Sequence, residues 1–423
     1  MSHTIRTPIL AAGLIVAAGV GLVAQPAAPP QAAGALAARA DALMTQAPVI
    51  DGHNDLPWEM REKVRYDFDA RDIAKPQPAM MTDIPRLRQG HVGGQFWSVY
   101  VPADLQGDGA VSATLEQVDA VHEMMRRYPE AFTLVRTADE MEQAMRAGRI
   151  GSIAGIEGGH SIDGSLGTLR MFRRLGVGYM TLTHSRNVPW ADSATDTPAH
   201  GGLSAFGEDV VREMNRLGML VDLSHVSPDT MADAIRVSQA PVIFSHSNAR
   251  AVCDVPRNVP DDILRQVTKN GGIVMVTFVP GFVSPEVSAY NRRASAENER
   301  LRTLHPGDAA AHKAALSAWT AKNPAPRATL AQVADHVDHI RKVAGIDHIG
   351  FGGDFDGITS VVQGLEDVRT YPALVAELLR RGYSDDDVKK ITSGNILRVM
   401  RQAEAVAARL VKAQPHAAVT RPR

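Results

Sequence analysis

A single cysteine, Cys253, stands in the 423 residues, so no disulfide can form within the chain. Charge of one sign is also missing: 47 acidic residues nearly cancel 45 basic ones, leaving a formal net charge of -2. Without a basic face a nucleic-acid partner is not expected, and no block of like charge suggests a membrane-surface patch. Aromatic residues are few, at 5%. Beyond residue 24 no apolar stretch is long enough to cross a bilayer. The polar, basic run Gln414 to Arg423 does not fit a GPI-type tail, and no cysteine follows the leader to carry a lipid.

The leader itself reads as an export signal. Arg6 provides a positive start, Ile9 to Ala24 is an uncharged apolar run, and Gln25-Pro26-Ala27-Ala28-Pro29-Pro30 follows. The run is short for a membrane span, so the expectation is a signal peptide over residues 1–24 with no stable anchor after its removal. The mature protein is then expected in the periplasm or outside the cell. Residues 25–40 form a Pro/Ala-rich linker and the start of a first helix, 41–405 one catalytic-sized domain, and 406–423 a polar tail.

The remaining chain is 44% hydrophobic over its whole length and alternates short β-branched runs with amphipathic stretches. Strands are predicted around Val49, at Gly93–Val101, Ser152–Ile156, Val177–Thr183, Met219–Leu223, Pro241–Phe244, Gly272–Val279 and His348–Gly352. These are nearly continuous apolar runs, as expected when both faces of a sheet are covered. Eight such units with intervening helices predict an α/β fold of the (β/α)8 TIM-barrel type. A doubly wound open sheet is the alternative, since counting strands does not show closure. Two segments break the rhythm: the loop Trp190–Gly202, and a polar insertion at about 284–327 expected to be helical and to border the pocket. Asp385–Met400 reads as two short helices, with Ser393 or Asn395 capping the second.

The chemistry collects at the strand ends. Val49-Ile50-Asp51-Gly52-His53-Asn54-Asp55-Leu56-Pro57 brings an apolar run into a His-x-Asp pair and a Leu-Pro stop. On a strand, His53 and Asp55 share a face. Alone, such a pair would more often be a surface turn. But strand three ends in Glu157-Gly158-Gly159-His160, strand four in Thr183-His184, strand five in Asp222-Leu223-Ser224-His225, strand six in Ser245-His246, and strand eight in Gly353-Asp354-Phe355-Asp356-Gly357. In a barrel those ends meet at one mouth. Singly each would be a buried histidine or a helix-capping aspartate, the reading adopted for His122, His160, His336, His339 and His348. Together, imidazoles with carboxylates and no thiolates suit two zinc-class ions in a catalytic site. Such a pair, bridged by a carboxylate, suits hydrolysis.

In combination these stretches resemble the membrane (renal) dipeptidases, zinc peptidases related to the amidohydrolase barrels. The matching runs are IDGHNDLP, GIEGGHSI, YMTLTHSRN, VDLSHVS, PVIFSHSNAR, RNVPDDIL and HIGFGGDFDG, spread over nearly the whole mature chain. The resemblance implies two Zn2+ per chain, one on His53 and Asp55, the other on His225 and His246, with Glu157 bridging. It implies that His184 stabilises a tetrahedral intermediate, that Arg257 binds the substrate's terminal carboxylate, and that Asp354 serves proton transfer or holds the free amine. The implied substrate is a small peptide, with broad specificity that includes a C-terminal D-residue. Family members are often dimers; here a bond between chains through Cys253 is one conceivable link. Other amidohydrolase-type amide hydrolysis, or an exported non-catalytic metal- or peptide-binding protein, remain as alternatives.

Overall fold

The structure is a computed structural model, and it describes residues 30–413. The expected leader, and residues 414–423 of the expected tail, lie outside those residues. Among the described residues nine strands occur in the order β1 (Val49–Asn54), β2 (Val92–Tyr100), β3 (Phe132–Leu134), β4 (Ile150–Glu157), β5 (Val177–Thr181), β6 (Leu220–Asp222), β7 (Ile243–Phe244), β8 (Ile273–Val276) and β9 (Ile349–Phe351). Neighbours run β2-β1-β9-β8-β7-β6-β5-β4, and β4 returns to β2 from Gly94↔Gly151 to Tyr100↔Glu157. All the pairings are parallel. The sheet is therefore a closed eight-stranded (β/α)8 barrel, and the open-sheet alternative falls. β3 is an addition that the sequence did not announce: it pairs with Ile150–Ser152 at the start of β4, outside the ring.

The alternation of side chains divides two apolar layers. Ile50, Phe96, Ile153, Tyr179, Leu220, Ile243, Ile273 and Met275 form one cluster, together with Met141 and Met400 from two helices. Their strand neighbours Val49, Trp97, Ala154, Met180, Val221, Phe244, Val274 and Val276 belong to the other, which packs the surrounding helices. The first set points into the barrel and the second outward, the period-two consequence of a strand with both faces covered. Two residues further along the inward set come Ser98, Thr181, Asp222 and Ser245, all fully buried. The barrel interior thus turns from apolar to polar one layer below its C-terminal mouth. Tyr179 fits there only because residue 155 is glycine, since a Cβ would overlap the tyrosine ring.

Several local expectations are corrected. The strand stops at Asn54, just before the Leu56-Pro57 pair, and the pair at once opens the helix Leu56–Val64, with proline in the first turn where its missing N–H costs nothing. The insertion is helical as expected, in two pieces, Pro285–Leu304 and Ala309–Lys322, but none of its residues lines the cavity at the barrel mouth. Ser393 and Asn395 cap nothing. Asp385–Lys389, a π turn over Lys390–Gly394 and Asn395–Ala413 follow one another without a break, and the cap is Ser384, in a capping box with Asp387. Asn395 instead donates to the carbonyls of Ile346 and Ile349, tying the last helix to β9. That helix runs to Ala413, past the domain edge expected at 405. Among the described residues no helix is long and apolar enough to cross a membrane.

Candidate metal centre

Glu157, the last residue of β4, stands at the middle of the mouth. Its Oε1 lies 3.0 Å from His225 Nε2, 3.5 Å from His246 Nε2, 3.6 Å from His53 Nε2 and 3.7 Å from His184 Nε2. Its other oxygen accepts the Ser98 hydroxyl at 2.9 Å. His53 Nε2 is also 3.2 Å from Asp55 Oδ2 and 3.9 Å from Asp354 Oδ1. Three overlapping groups of ligand atoms result: His53, Glu157 and His246; Glu157, His184 and His225; His53, Asp55 and Asp354. All five residues expected to bind metal are brought together, with Glu157 common to two groups. The division is less clean than the resemblance implied: His246 shares a group with His53, and His184 stands within ligand reach.

The backbone at these ends is held in special conformations. His225 and Asp354 have φ of +69° and +62°, the left-handed region that non-glycine residues seldom occupy. Such strain persists where surrounding contacts over-determine it. Beneath His53, buried Asp51 accepts N–H from Gly353 at 2.8 Å and from His53 at 3.3 Å, and the Gln95 amide at 3.0 Å. One buried carboxylate thus joins the end of β1 to the loop that carries Asp354.

Charge in the site is unbalanced in a way that asks for a cation. Burial and the Arg257 charge hold His184 down at about 3, and burial keeps His225 and His246 well below the usual histidine range. Neutral imidazoles with a bare nitrogen are what a metal ion needs. His53 goes the other way: burial pulls it down, but the carboxylates of Asp55, Glu157 and Asp354 outweigh burial and lift it to about 10. Burial raises Glu157 to about 7 and Asp354 well above the ordinary carboxylate range. Converging nitrogens and carboxylate oxygens with no thiolate suit a divalent ion of the zinc class.

A cavity of about 820 Å³ opens over this cluster, walled by Trp58, Tyr100, Met81 and Phe282. Arg257 reaches it almost fully buried, with Nη1 3.4 Å from Ser247 Oγ, Nη2 3.3 Å from the His246 carbonyl, and no partner for Nε. Burial lowers its guanidinium to about 10, so it is still charged at neutral pH. Trp58 and Tyr100, edge to face at 4.9 Å, escaped the sequence reading. The available signal was that Tyr100 ends β2 on the same face as the ligands. Of the histidines set aside as structural, His122, His160 and His348 bond to backbone carbonyls, and His339 pairs with Asp261. Cys253 is buried with its thiol toward the Gly281 carbonyl, out of reach of a second chain.

A barrel with a carboxylate shared among histidines at its C-terminal mouth is the architecture of a metal-dependent hydrolase. Residues 37–414 match the family described as membrane dipeptidase, Peptidase family M19, and the chain belongs to it. Dipeptidase 3 of Mus musculus is 43% identical over 373 residues, covering 86% of this chain and 66% of that protein. Dipeptidase verJ of Clonostachys rogersoniana is 40% identical over 380 residues, 87% of each chain. A metallo peptidase from Rhodobacter sphaeroides, liganded with a phosphinate mimic of the dipeptide L-Ala-D-Ala, superposes with a TM-score of 0.69 at 25% identity, over 84% of this chain and 99% of that one.

Proposed function

We propose that the metal-dependent dipeptide hydrolysis of this family is carried out here with two zinc ions, held by His53 and Asp55 on one side and His225 and His246 on the other, with Glu157 between them. The observation that carries this reading is the position of Glu157 Oε1, within 3.0–3.7 Å of four imidazole nitrogens. Bound ions would supply Lewis acidity and a nucleophilic water at neutral pH.

The chain's own residues do the rest. Arg257 takes the substrate's terminal carboxylate, a match for a planar fork with unused donors. His184, with Nε2 3.7 Å from Glu157 Oε1, donates an N–H to the oxyanion that develops as the peptide carbonyl becomes tetrahedral. Asp354 carries the proton to the leaving nitrogen, and its buried position among other carboxylates favours the protonated form. Trp58, Tyr100 and Phe282 keep water from the substrate's side chains. The phosphinate-bound relative supports acceptance of a C-terminal D-residue. The leader supports export to the periplasm or the medium.

The test is metal analysis of purified protein beside a panel of L,L and L,D dipeptides, before and after chelation. Two zinc ions per chain and chelator-sensitive cleavage are expected. Metal-replete protein that cleaves no dipeptide would sink the reading.

A further inference from the structure

Asp222, the last residue of β6, sits in the polar layer below the histidines, fully buried and without a hydrogen-bonded cation. Four donors converge on it. Oδ1 accepts the backbone N–H of Ser224 at 3.1 Å and of Ser245 at 2.9 Å. Oδ2 accepts the hydroxyls of Thr181 and Ser245, both at 2.6 Å. These partners lie on the three strand ends that lead to His184, His225 and His246. Ser224 Oγ in turn accepts the His246 backbone N–H at 3.0 Å.

The Ser245 hydroxyl has one hydrogen, and the short contact to a carboxylate claims it over the 3.4 Å contact to Ser224 Oγ. Ser245 Oγ therefore shows only a lone pair to His246 Nδ1, 2.8 Å away. The ring proton must then sit on Nδ1, which leaves Nε2 bare and facing Glu157. We propose that Asp222 is a positioning residue for metal binding: through the Ser245 hydroxyl it fixes the one His246 tautomer whose Nε2 can take a metal ion. This rests on the reading of His246 as a ligand. Outer-shell partners of this kind are worth roughly 10–100-fold in metal affinity.

The isosteric change Asp222→Asn makes a specific demand. Its NH2 group cannot replace Oδ1, where two backbone N–H groups already point. It must replace Oδ2, where it turns the Ser245 hydroxyl around. That hydroxyl then donates to Nδ1 and drives the ring proton onto Nε2, against the metal. Ser245→Ala merely frees the ring, and in its background Asp222→Asn has nothing left to reverse.

The experiment measures zinc stoichiometry and affinity by chelator competition for wild type, D222N, S245A and the double variant, with the histidine tautomers of the metal-free proteins read by two-bond 1H–15N NMR. Expected are a loss of about 10–100-fold in the affinity of one zinc in D222N, a smaller loss in S245A, and a double variant no worse than S245A. The His246 proton should be on Nδ1 in wild type and on Nε2 in D222N. Wild-type affinity in D222N, or an equal D222N penalty with and without Ser245, would overturn the inference. If D222N does not fold, S245A decides: unchanged affinity and an unchanged His246 tautomer would overturn it equally. Wild-type protein that takes up no zinc would instead bring down the dipeptidase reading on which this rests.

Discussion

Gly357 leaves no room for a side chain beside Asp55. A Cβ at position 357 would fall inside contact distance of Asp55 Oδ2, and 2.5 Å from Asp354 Oδ1. The glycine of the Asp-Phe-Asp-Gly run thus sets how closely two site carboxylates approach. Gly357→Ala is expected to push both outward, and a displacement near 1 Å at a reacting centre costs roughly 10²-fold. Metal content should fall together with kcat/KM. Unchanged metal content and turnover would show that Asp55 and Asp354 can shift freely.

His184 separates binding from catalysis. If it donates to the oxyanion rather than holding metal, His184→Ala should keep the full complement of metal and lose kcat by about 10²-fold. Its Nε2, 3.7 Å from Glu157 Oε1, is far enough to serve substrate and near enough to serve an ion. Metal analysis of the variant decides between them: loss of one ion per chain would make His184 a ligand.

Much of this arrangement could be read in the sequence, for a physical reason. A parallel barrel strand is covered on both faces, so β1, β2 and β4 to β9 stand out as apolar runs, and a polar residue closing such a run has few places to go but the mouth. That logic found Glu157, His225 and His246 without any coordinates. It could not find β3, because Phe132-Thr133-Leu134 is too short to carry a pattern. It placed the end of β1 before Pro57 but missed the helix that starts there, since a proline that ends one element and one that starts a helix look alike until the next turn is seen. Tyr100 could have been found as the last residue of β2 on the ligand face, whereas Trp58 and Phe282 stand on helices, and only the closed ring shows that they turn toward the cavity. Asp222 did leave a mark, an acid inside an apolar run, but its role depends on hydroxyls contributed by two other strands.

Arg257 offers a test of substrate register. Its guanidinium carbon is 5.3 Å from the centre of the Phe282 ring, which holds the planar group in one orientation. Lysine would keep the charge but lose the fork, so Arg257→Lys is expected to lower kcat/KM by roughly 10–10²-fold, as for a charged hydrogen bond removed. With dipeptide amides, which lack the terminal carboxylate, wild type and variant should converge. A variant equally impaired on amides would place the role of Arg257 elsewhere, in supporting the His246 carbonyl and Ser247.

His336 predicts how the fold responds to acid. It is fully buried, accepting the Ala249 N–H at Nδ1 (3.2 Å) and donating from Nε2 to the Val283 carbonyl (3.0 Å), a pattern only the neutral ring can satisfy. Burial holds it down at about 4, against 6.5 for a free histidine. Between these values the unfolded chain binds a proton that the folded chain refuses. Its contribution is therefore whole above pH 6.5, shrinks as pH falls, and stops shrinking near pH 4, a loss of about 3 kcal/mol. His336→Gln removes the titrating group. Denaturant unfolding of wild type and variant across pH 7 to 4 should give a stability difference that moves in the variant's favour as pH drops through this window. A difference that stays flat would mean that the ring accepts its second proton inside the fold, with the segments around Ala249 and Val283 giving way to admit it.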